Sequence, residues 1–440
     1  MRSSPCVLVI LCMLASRRVG AQPAPNVPAL DSAAAARAAW GRMNAARRAN
    51  DLPTARTEAL HAATAWPTQP AYVWGHAVLA ARTGDTAGAL ASLRRYAALG
   101  VGRDLTGDSA FAALRGTASF DSMRAMHDRN RAPVARGTVL RQTRDTTLWP
   151  EGVGHDPRTG DFYLASVRRR TIARVAPDGS VRDLWPSGTP GMGALLGVRV
   201  DTARRKIWAT TSGIPQMEGY TPADSGIAAL LRIDPRTGRV ERRWDLPVIS
   251  GGHVLGDVAL GPRGEVYATD SNEPVLYRLR PGVDTLERFR HPLFRALQGM
   301  AITPDAQFVY VADYSHGLLR VRMRDGAVIR LGDAPGSTSL GCDGIVLHRG
   351  AIVAVQNNVD PARIVRFGLN AAGDSIVSAR VLDQQPALAP EPTIGTMVGE
   401  RFVYVANGQF ASHDAKGARI PGEPHTGARL IAVPVTDDVR

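Results

Sequence analysis

A phrase that recurs six times after residue 150 constrains the fold of this chain more than any other feature. Each copy runs from a short apolar strand entered through glycine, across a Pro/Asp/Gly turn, into a strand rich in aromatic and β-branched residues. The six copies start at Glu151, Leu196, Gly256, Gln298, Asp343 and Pro392. One small sheet cannot bury both of its faces and needs neighbours, so repeats of this kind predict a ring of sheets. The sequence therefore predicts a six-bladed β-propeller over residues 137–440.

The two ends of the repeat region predict how the ring closes. Residues 137–144 (GTVLRQTR) have a strand pattern before the first copy, and the last copy ends at 430–435 (LIAVPV) with no clear outer strand after it. We expect the early strand to complete the last blade, because closure removes the exposed edges of a sheet. The interval between the second and third copies holds an insertion, residues 213–226, which we expect to form a loop over the ring.

The residues before the propeller predict a small helical domain. Residues 31–130 are rich in Ala, Arg and Leu, which favour helix. Trp40-Gly41 recurs as Trp74-Gly75, and Asp51 recurs as Asp85, at a spacing of 34 residues. That is the tetratricopeptide period, so the segment resembles about two tetratricopeptide-like units. It is either a groove for a protein partner or a cap that packs on the propeller.

The first residues predict export. Arg2 precedes an apolar run that is too short to span a bilayer, and residues 19–21 are small enough for signal peptidase. We expect a cleaved signal peptide over residues 1–21, a linker over residues 22–30 and a periplasmic or secreted protein. No lipobox precedes either leader cysteine, and no later segment is long and apolar enough to anchor the chain in a membrane.

The charge does not indicate nucleic-acid binding, although the formal net charge is +13. The only lysines are Lys206 and Lys416, and the arginine runs lack the interleaved aromatic residues on which bases stack. After loss of the leader Cys342 stands alone, so no internal disulfide is expected. A small residue buried near the propeller axis is the expected role of Cys342.

The first residue of each inner strand should lie at one mouth of the central tunnel. Glu151 and Asp343 bring two carboxylates to this mouth, Gln298 brings an amide oxygen, and Asp257 lies one step along its strand. Several oxygen ligands on a rigid scaffold suit a hard divalent cation, which also relieves the repulsion between like carboxylates. The alternative is that these side chains only bond backbone amides at the strand ends.

At these residues the propeller resembles the senescence-marker/gluconolactonase family, which includes regucalcin and is related in architecture to the paraoxonases. Glu151-Gly152 looks like the leading metal-binding Glu of that family, and Asp343-Gly344 looks like its later metal-binding Asp. Gln298-Gly299 occupies the place of the family's metal-binding Asn-Gly. The resemblance implies a divalent cation held by Glu151, Gln298 and Asp343, with calcium expected first and zinc or manganese as alternatives.

The positions that would face substrate depart from the family pattern. Gly256-Asp257 occupies the place of a family Asn-Asp pair whose Asn contacts substrate, which makes Gly256 and Gln298 the substrate-facing positions. Val254 stands where gluconolactonases often carry an Arg that contacts substrate. The sequence therefore leaves specificity for sugar lactones open.

The resemblance implies hydrolysis of a lactone or an ester, with the cation polarising the carbonyl. A water would attack, activated by the cation or by Asp257 as base. His253, just before the Gly256 mouth, is a second candidate base, or else a loop residue. The sequence thus predicts a metal-dependent hydrolase of the lactonase or esterase type. The alternative is a non-enzymatic, NHL-like binding propeller whose helical domain recruits a protein partner.

Overall fold

A computed structural model describes residues 30–423 and 425–436 of the chain. Over these residues the chain is mainly β, a six-bladed propeller preceded by α-helices, which confirms the predicted fold class. The predicted signal peptide over residues 1–21 lies outside the described residues, as does the linker over residues 22–30 apart from Leu30.

Within the described residues, five α-helices precede the propeller. They are α1 (Leu30–Arg48), α2 (Leu52–Ala65), α3 (Pro70–Arg82), α4 (Thr86–Ala97) and α5 (Ala118–Arg131). No helix in the described part of the chain is both long and apolar enough to cross a bilayer.

The residues that repeat at a spacing of 34 have the same structural role in both copies or contact each other. Asp51 and Asp85 are the N-caps of α2 and α4, where each carboxylate accepts a backbone N–H of the first turn. The ring of Trp40 lies directly against Gly75, where a Cβ would stand only 2.4 Å from a ring carbon. This close approach requires glycine at position 75, so Trp40 and Gly75 belong to the seam between the two helical pairs.

Each blade is a four-stranded antiparallel sheet whose strands run outward in chain order, except in the last blade. Blade one comprises β2 (Pro150–Asp156), β3 (Asp161–Ser166), β4 (Thr171–Val175) and β5 (Val181–Asp183). Blade two comprises β6 (Ala194–Asp201), β7 (Lys206–Ser212), β8 (Ala228–Ile233) and β9 (Val240–Asp245). Blade three comprises β10 (Leu255–Leu260), β11 (Val266–Asp270), β12 (Val275–Leu279) and β13 (Glu287–Phe289).

The remaining blades follow the same plan. Blade four comprises β14 (Leu297–Ile302), β15 (Phe308–Asp313), β16 (Gly317–Arg322) and β17 (Val328–Arg330). Blade five comprises β18 (Cys342–His348), β19 (Ala351–Gln356), β20 (Arg363–Leu369) and β21 (Ile376–Asp383). Blade six comprises β22 (Gly395–Val398), β23 (Arg401–Val405) and β24 (Arg429–Pro434), and its outer strand is β1 (Thr138–Gln142).

The early strand therefore closes the ring, as the sequence predicts. Strand β1 pairs antiparallel with β24, and Thr138 lies opposite Ala432. Strands β3 and β19 are buried at every residue, because a neighbouring blade covers each of their faces. Cys342 is fully buried within the core of blades four and five, and burial raises the pKa of its thiol.

The helical domain packs on blades four and five. The buried Trp66 stacks against His316 with ring centroids 5.5 Å apart, and the Arg330 guanidinium lies 5.3 Å from the Trp66 ring. The Thr338 hydroxyl donates to the carbonyl of Thr68 at 3.1 Å. This part of the helical surface is therefore occupied by the propeller.

Candidate functional site

A β-bulge at the start of the inner strand presents one residue of each of the first five blades to the propeller axis. In blade one the register shifts between Pro150 and Val153, and the two residues between them are Glu151 and Gly152. The other four inner strands carry a shift at the same place, which contains or adjoins Leu196, Gly256, Gln298 and Asp343. Because a bulge redirects the side chain of its extra residue, it explains why these residues face the tunnel mouth.

Four of the positions predicted for metal or substrate meet in one cavity of about 390 Å³. They are Glu151, Gly256, Gln298 and Asp343. The remaining lining residues are Leu196, Ile214, Gln216, Val254, Ser271, Tyr314, Asn357, Glu391, Thr393 and Phe410. Ile214 and Gln216 come from the 213–226 insertion, which does lie at this mouth.

The cavity concentrates negative charge without a matching cation. Burial and the nearby carboxylates of Asp343, Glu391 and Asp257 raise the pKa of Glu151 well above its usual value. Burial also raises the pKa of Asp343 to about 6, against the opposing hydrogen bonds from Asn357 and Tyr314. No Lys, Arg or His is among the described residues that line this cavity.

One carboxylate oxygen at the centre of this charge has no partner. The Oε2 atom of Glu151 is shielded from solvent, and the described residues provide no hydrogen bond to it. Leaving a shielded carboxylate oxygen unbonded costs free energy, so an unpaired oxygen of this kind is a place where a ligand or ion is expected.

Asn357 and Tyr314 hold Asp343 in place. The Asn357 amide Nδ2 donates to Asp343 Oδ2 at 2.7 Å and to the Pro392 carbonyl at 3.0 Å. The Tyr314 hydroxyl donates to Asn357 Oδ1 at 3.0 Å. Burial and the carboxylates of Asp343 and Glu151 raise the pKa of Tyr314, so its phenol keeps the proton that it donates. Asp343 is thus oriented by a chain of hydrogen bonds.

Gln298 is oriented so that its amide oxygen is available to a ligand. Its Nε2 donates to the Ser271 hydroxyl at 3.3 Å and to the Ala296 carbonyl at 3.5 Å. A Cβ built on Gly256 would lie 3.7 Å from Gln298 Oε1, so this oxygen borders the space that a side chain at 256 would fill. Gly256 therefore widens the cavity next to Gln298.

Blade six contributes different residues from those that the sequence alignment of the repeat indicated. Pro392, the predicted equivalent of Glu151, does not line the cavity, whereas Glu391 and Thr393 on either side of it do. The inner strand β22 begins only at Gly395 and pairs with β23 without a bulge, unlike the other inner strands. The Thr393 hydroxyl donates to the Glu151 carbonyl at 2.8 Å. Glu391 Oε1 accepts the Ala411 N–H at 3.0 Å, and burial raises the pKa of this carboxyl.

Asp257, predicted as a general base, does not line the cavity. Its side chain is almost fully buried, with Oδ1 accepting the Val258 N–H at 2.7 Å and Oδ2 accepting an Arg199 N–H at 3.2 Å. Arg199 also lines a second opening of the propeller, at the far ends of the inner strands. Asp257 and Arg199 thus form an ion pair inside the tunnel, and this placement does not support a role as base.

His253, the other predicted base, also lies outside the cavity lining. Its Nδ1 is 2.5 Å from Asp270 Oδ2, and its Nε2 is 2.8 Å from the Pro247 carbonyl. His253, Asp270 and Glu273 place three ligand atoms within 4.8 Å of one another, a geometry that could hold a metal. Their polar atoms already have protein partners, including Arg290 for Glu273. The loop-residue interpretation therefore fits His253 better than that of a base.

The repeat contained a second signal that the sequence analysis missed. Ser271, Tyr314 and Asn357 each follow the last residue of the second strand in blades three, four and five, and all three line the cavity. Two of the strand-final residues just before them, Asp270 and Asp313, accept neighbouring backbone N–H groups instead. Comparing the residue after the second strand across the copies would have found Asn357 and Tyr314.

The chain matches no protein-family model and no curated protein. It is similar to the solved structure of a gluconolactonase from Xanthomonas campestris, with 16% identity, 68% of this chain and 89% of that chain covered, and a TM-score of 0.45. It is similar to a virginiamycin B lyase from Staphylococcus aureus, with 16% identity, 61% of this chain and 80% of that chain covered, and a TM-score of 0.43. A luciferin-regenerating enzyme matches at 11% identity, 69% and 95% covered, with a TM-score of 0.45. The structural neighbours thus include gluconolactonase-like propellers, and the likeness concerns the fold.

Proposed function

We propose that this propeller is a metal-dependent hydrolase of lactones or esters. The observation that carries the proposal is the unpartnered Oε2 of Glu151 beside Asp343, in a cavity whose described lining has no basic side chain. Carboxylates held together in this way repel each other and stay protonated unless a cation neutralises them. The rigid inner strands keep the two groups together, so a divalent cation is the ligand that this arrangement favours.

The oxygen donors present fit such an ion. Glu151, Asp343 and the amide oxygen of Gln298 would hold it, and three protein oxygens supplemented by water suit calcium, with zinc or manganese as alternatives. A divalent cation supplies Lewis-acid polarisation of a substrate carbonyl when it is bound. Asn357 keeps the Asp343 carboxylate oriented for this role.

Glu391 is the residue that we propose as general base. The Ala411 N–H fixes its Oε1, and the carboxylate would take a proton from an attacking water in the cavity. Burial raises the pKa of Glu391 above its usual value, and a base works best when its pKa approaches the operating pH. Unlike Asp257, Glu391 lines the cavity itself.

The apolar part of the cavity favours an apolar lactone or ester over a sugar lactone. Leu196, Val254, Ile214 and Phe410 cover one side of the cavity, and Gly256 leaves open the space beside Gln298. None of these residues offers a side-chain hydrogen bond to a sugar hydroxyl. A hydrocarbon substituent would instead displace water from these surfaces on binding.

Calcium titration of chelator-treated protein tests the metal site. We expect one equivalent to bind, and Glu151→Gln or Asp343→Asn to weaken binding at least tenfold, about 1.4 kcal/mol. Glu400→Gln is the matched control, because Glu400 pairs with Arg349 away from the cavity and its loss should leave binding unchanged. Failure of the wild type to bind calcium, zinc or manganese would refute the proposal.

Turnover of a panel of alkyl lactones and esters then separates an enzyme from a binding propeller. We expect Glu391→Gln to keep the metal and the substrate KM but to lower kcat about 10²-fold or more, the usual contribution of a general base. A wild type that binds metal and hydrolyses nothing in the panel would favour the non-enzymatic alternative, in which the propeller only binds ligands.

We further propose that the chain acts outside the cytoplasm after cleavage behind Ala21. The apolar run and the small residues at 19–21 motivate this proposal. N-terminal sequencing of protein isolated from the periplasm or medium should begin at Gln22, whereas a retained Met1 would contradict it.

A further inference from the structure

A second cavity, of about 200 Å³, lies beneath the loop that joins β23 to β24 and is separate from the carboxylate cavity. The residues that matter for its chemistry are Trp149, Arg168, Gln409, His413, Arg419 and His425. Two arginines and two histidines thus meet in a small space, and no Asp or Glu is among its described lining residues.

The two arginines have no carboxylate partner within the described chain. Arg168 donates to the Gly417 carbonyl at 3.0 Å, and neither Arg168 nor Arg419 has a described carboxylate within 4.0 Å. The two acids that adjoin lining residues in sequence are engaged elsewhere: Asp145 pairs with Arg169, and Asp414 accepts backbone N–H groups of its own turn. The positive charge of this cavity is therefore not neutralised by the protein.

Two shielded nitrogen atoms in the lining lack any partner. The indole Nε1–H of Trp149, a residue only 1% exposed, has no acceptor, and His425 Nε2 has no hydrogen bond. An indole N–H can only donate, so it requires an acceptor in the cavity. Two guanidinium groups and a shielded N–H together form a site for an oxyanion.

One shielded acceptor in the same lining narrows the choice of oxyanion. Gln409 Nε2 donates to the Leu148 carbonyl at 2.6 Å and to the Thr426 carbonyl at 3.1 Å, which fixes the amide and leaves its Oε1 without a partner. An unbonded acceptor repels a fully deprotonated anion, whereas it accepts a hydrogen bond from an anion that carries an O–H group.

We propose that this cavity binds inorganic hydrogen phosphate. The anionic oxygens would accept hydrogen bonds from Arg168, Arg419 and the Trp149 N–H. The P–O–H of hydrogen phosphate would donate a hydrogen bond to Gln409 Oε1. The site would also stabilise the wall of the carboxylate cavity. Trp149 stacks on His413 at 4.1 Å and contacts Phe410 at 5.0 Å, and Phe410 lines the other cavity.

Calorimetric titration with phosphate and with sulfate, at constant ionic strength set with chloride, tests the site. We expect phosphate to bind and sulfate to bind at least tenfold more weakly, since sulfate carries no O–H near neutral pH. Phenyl phosphate in a separate titration distinguishes inorganic from organic phosphate: its dianion carries no O–H near neutral pH and should bind as weakly as sulfate, whereas preference for the ester would overturn the choice of inorganic hydrogen phosphate. No binding of inorganic phosphate would overturn the proposal, and equal binding of sulfate would overturn the choice of hydrogen phosphate.

Two variants and a control test the residues. Trp149→Phe removes the N–H while keeping an aromatic ring, and Arg419→Gln removes one charge from a loop residue; each should weaken phosphate binding about tenfold, or 1.4 kcal/mol. Arg236→Gln, in the exposed outer turn of blade two, should leave it unchanged. Unchanged phosphate affinity in folded Arg419→Gln protein would place the anion elsewhere.

Discussion

The chemistry of this propeller rests on a few carboxylates that the protein alone does not neutralise. Glu151 and Asp343 are each destabilised as anions by burial and by nearby carboxylates, and the lining residues that hydrogen-bond to Asp343 offset this only in part. A buried acid whose folded pKa exceeds its unfolded value favours folding less as the pH rises, because the folded state must then give up a proton from an unfavourable site.

The pH dependence of stability in metal-free protein should show this effect. With the Asp343 pKa raised from 3.8 to about 6, the folded state holds a proton that the unfolded chain has released between these values. Stability should therefore fall as the pH rises through this window, by up to about 3 kcal/mol from this group. Denaturant unfolding in chelator at pH 4 and pH 8 measures the fall.

Asp343→Asn should remove most of this loss of stability with rising pH. At pH 8 without metal, the variant should therefore be more stable than the wild type. Saturating calcium should reverse the order, because the cation stabilises only the wild-type site. Asp305→Asn, in an exposed turn where the carboxylate accepts backbone N–H groups, should not be more stable at either pH. A wild type that is equally stable at pH 4 and pH 8 would contradict the raised pKa.

At the scale of the strands, the site depends on bulges followed by glycine. Each bulge turns one residue to the axis, and in blades one, two, four and five the next residue is a glycine packed against the neighbouring blade. A Cβ at Gly152 would lie 2.3 Å from the Leu196 carbonyl oxygen, which is backbone and cannot move aside. The glycine thus allows the inner strands to approach closely around the tunnel.

Gly152→Ala should consequently destabilise the propeller by about 1–3 kcal/mol, the usual cost of overpacking. Gly256→Ala is the matched control, because a Cβ there meets only two side-chain atoms, the Ser271 hydroxyl at 3.2 Å and Gln298 Oε1 at 3.7 Å, and no backbone. Its effect on the free energy of unfolding should be within about 0.5 kcal/mol. Thermal or urea unfolding of both variants tests the prediction, and equal losses in the two would show that inner-strand packing is not the cause.

At the scale of the whole molecule, the helical domain and the propeller form a continuous structure at the cavity end. His316, which stacks on Trp66, follows the cavity-lining Tyr314 by two residues. The Gly102 N–H donates to the carbonyl of Asp360, in the turn that follows Asn357. The helices therefore contact the loops that follow Tyr314 and Asn357, the two residues that orient Asp343.

Trp66→Ala should loosen this packing and cost about 3–5 kcal/mol, since Trp66 is fully buried. We expect faster tryptic cleavage between the domains, at Arg131 and Arg136, and weaker calcium binding through the disturbed loops. Leu60→Ala, at a residue 42% exposed on α2, the helix that ends just before Trp66, should change neither property. Unchanged cleavage and calcium affinity in folded Trp66→Ala protein would show that the domains do not depend on each other.

The sequence by itself determined the ring, because strand patterns, turns and the absence of an outer strand in the last copy are local features that repeat. Residues at equivalent strand starts could likewise be compared in the sequence, and Glu151, Gln298 and Asp343 do line one cavity. The N-cap residues Asp51 and Asp85 were visible for the same reason, since capping depends on a few neighbouring residues.

Only the tertiary structure decided which neighbouring groups each side chain meets. Asp257 is one residue from the cavity in sequence, yet Arg199 from another blade pairs with it. The ring nitrogens of His253 are hydrogen-bonded to Asp270 and to the Pro247 carbonyl. Glu391 lines the cavity from the segment that precedes β22, which begins only at Gly395. Such partners come from distant parts of the chain. The pKa of each acid depends on burial, hydrogen bonds and charges that come from neighbouring blades. A local pattern in the sequence does not predict these contacts.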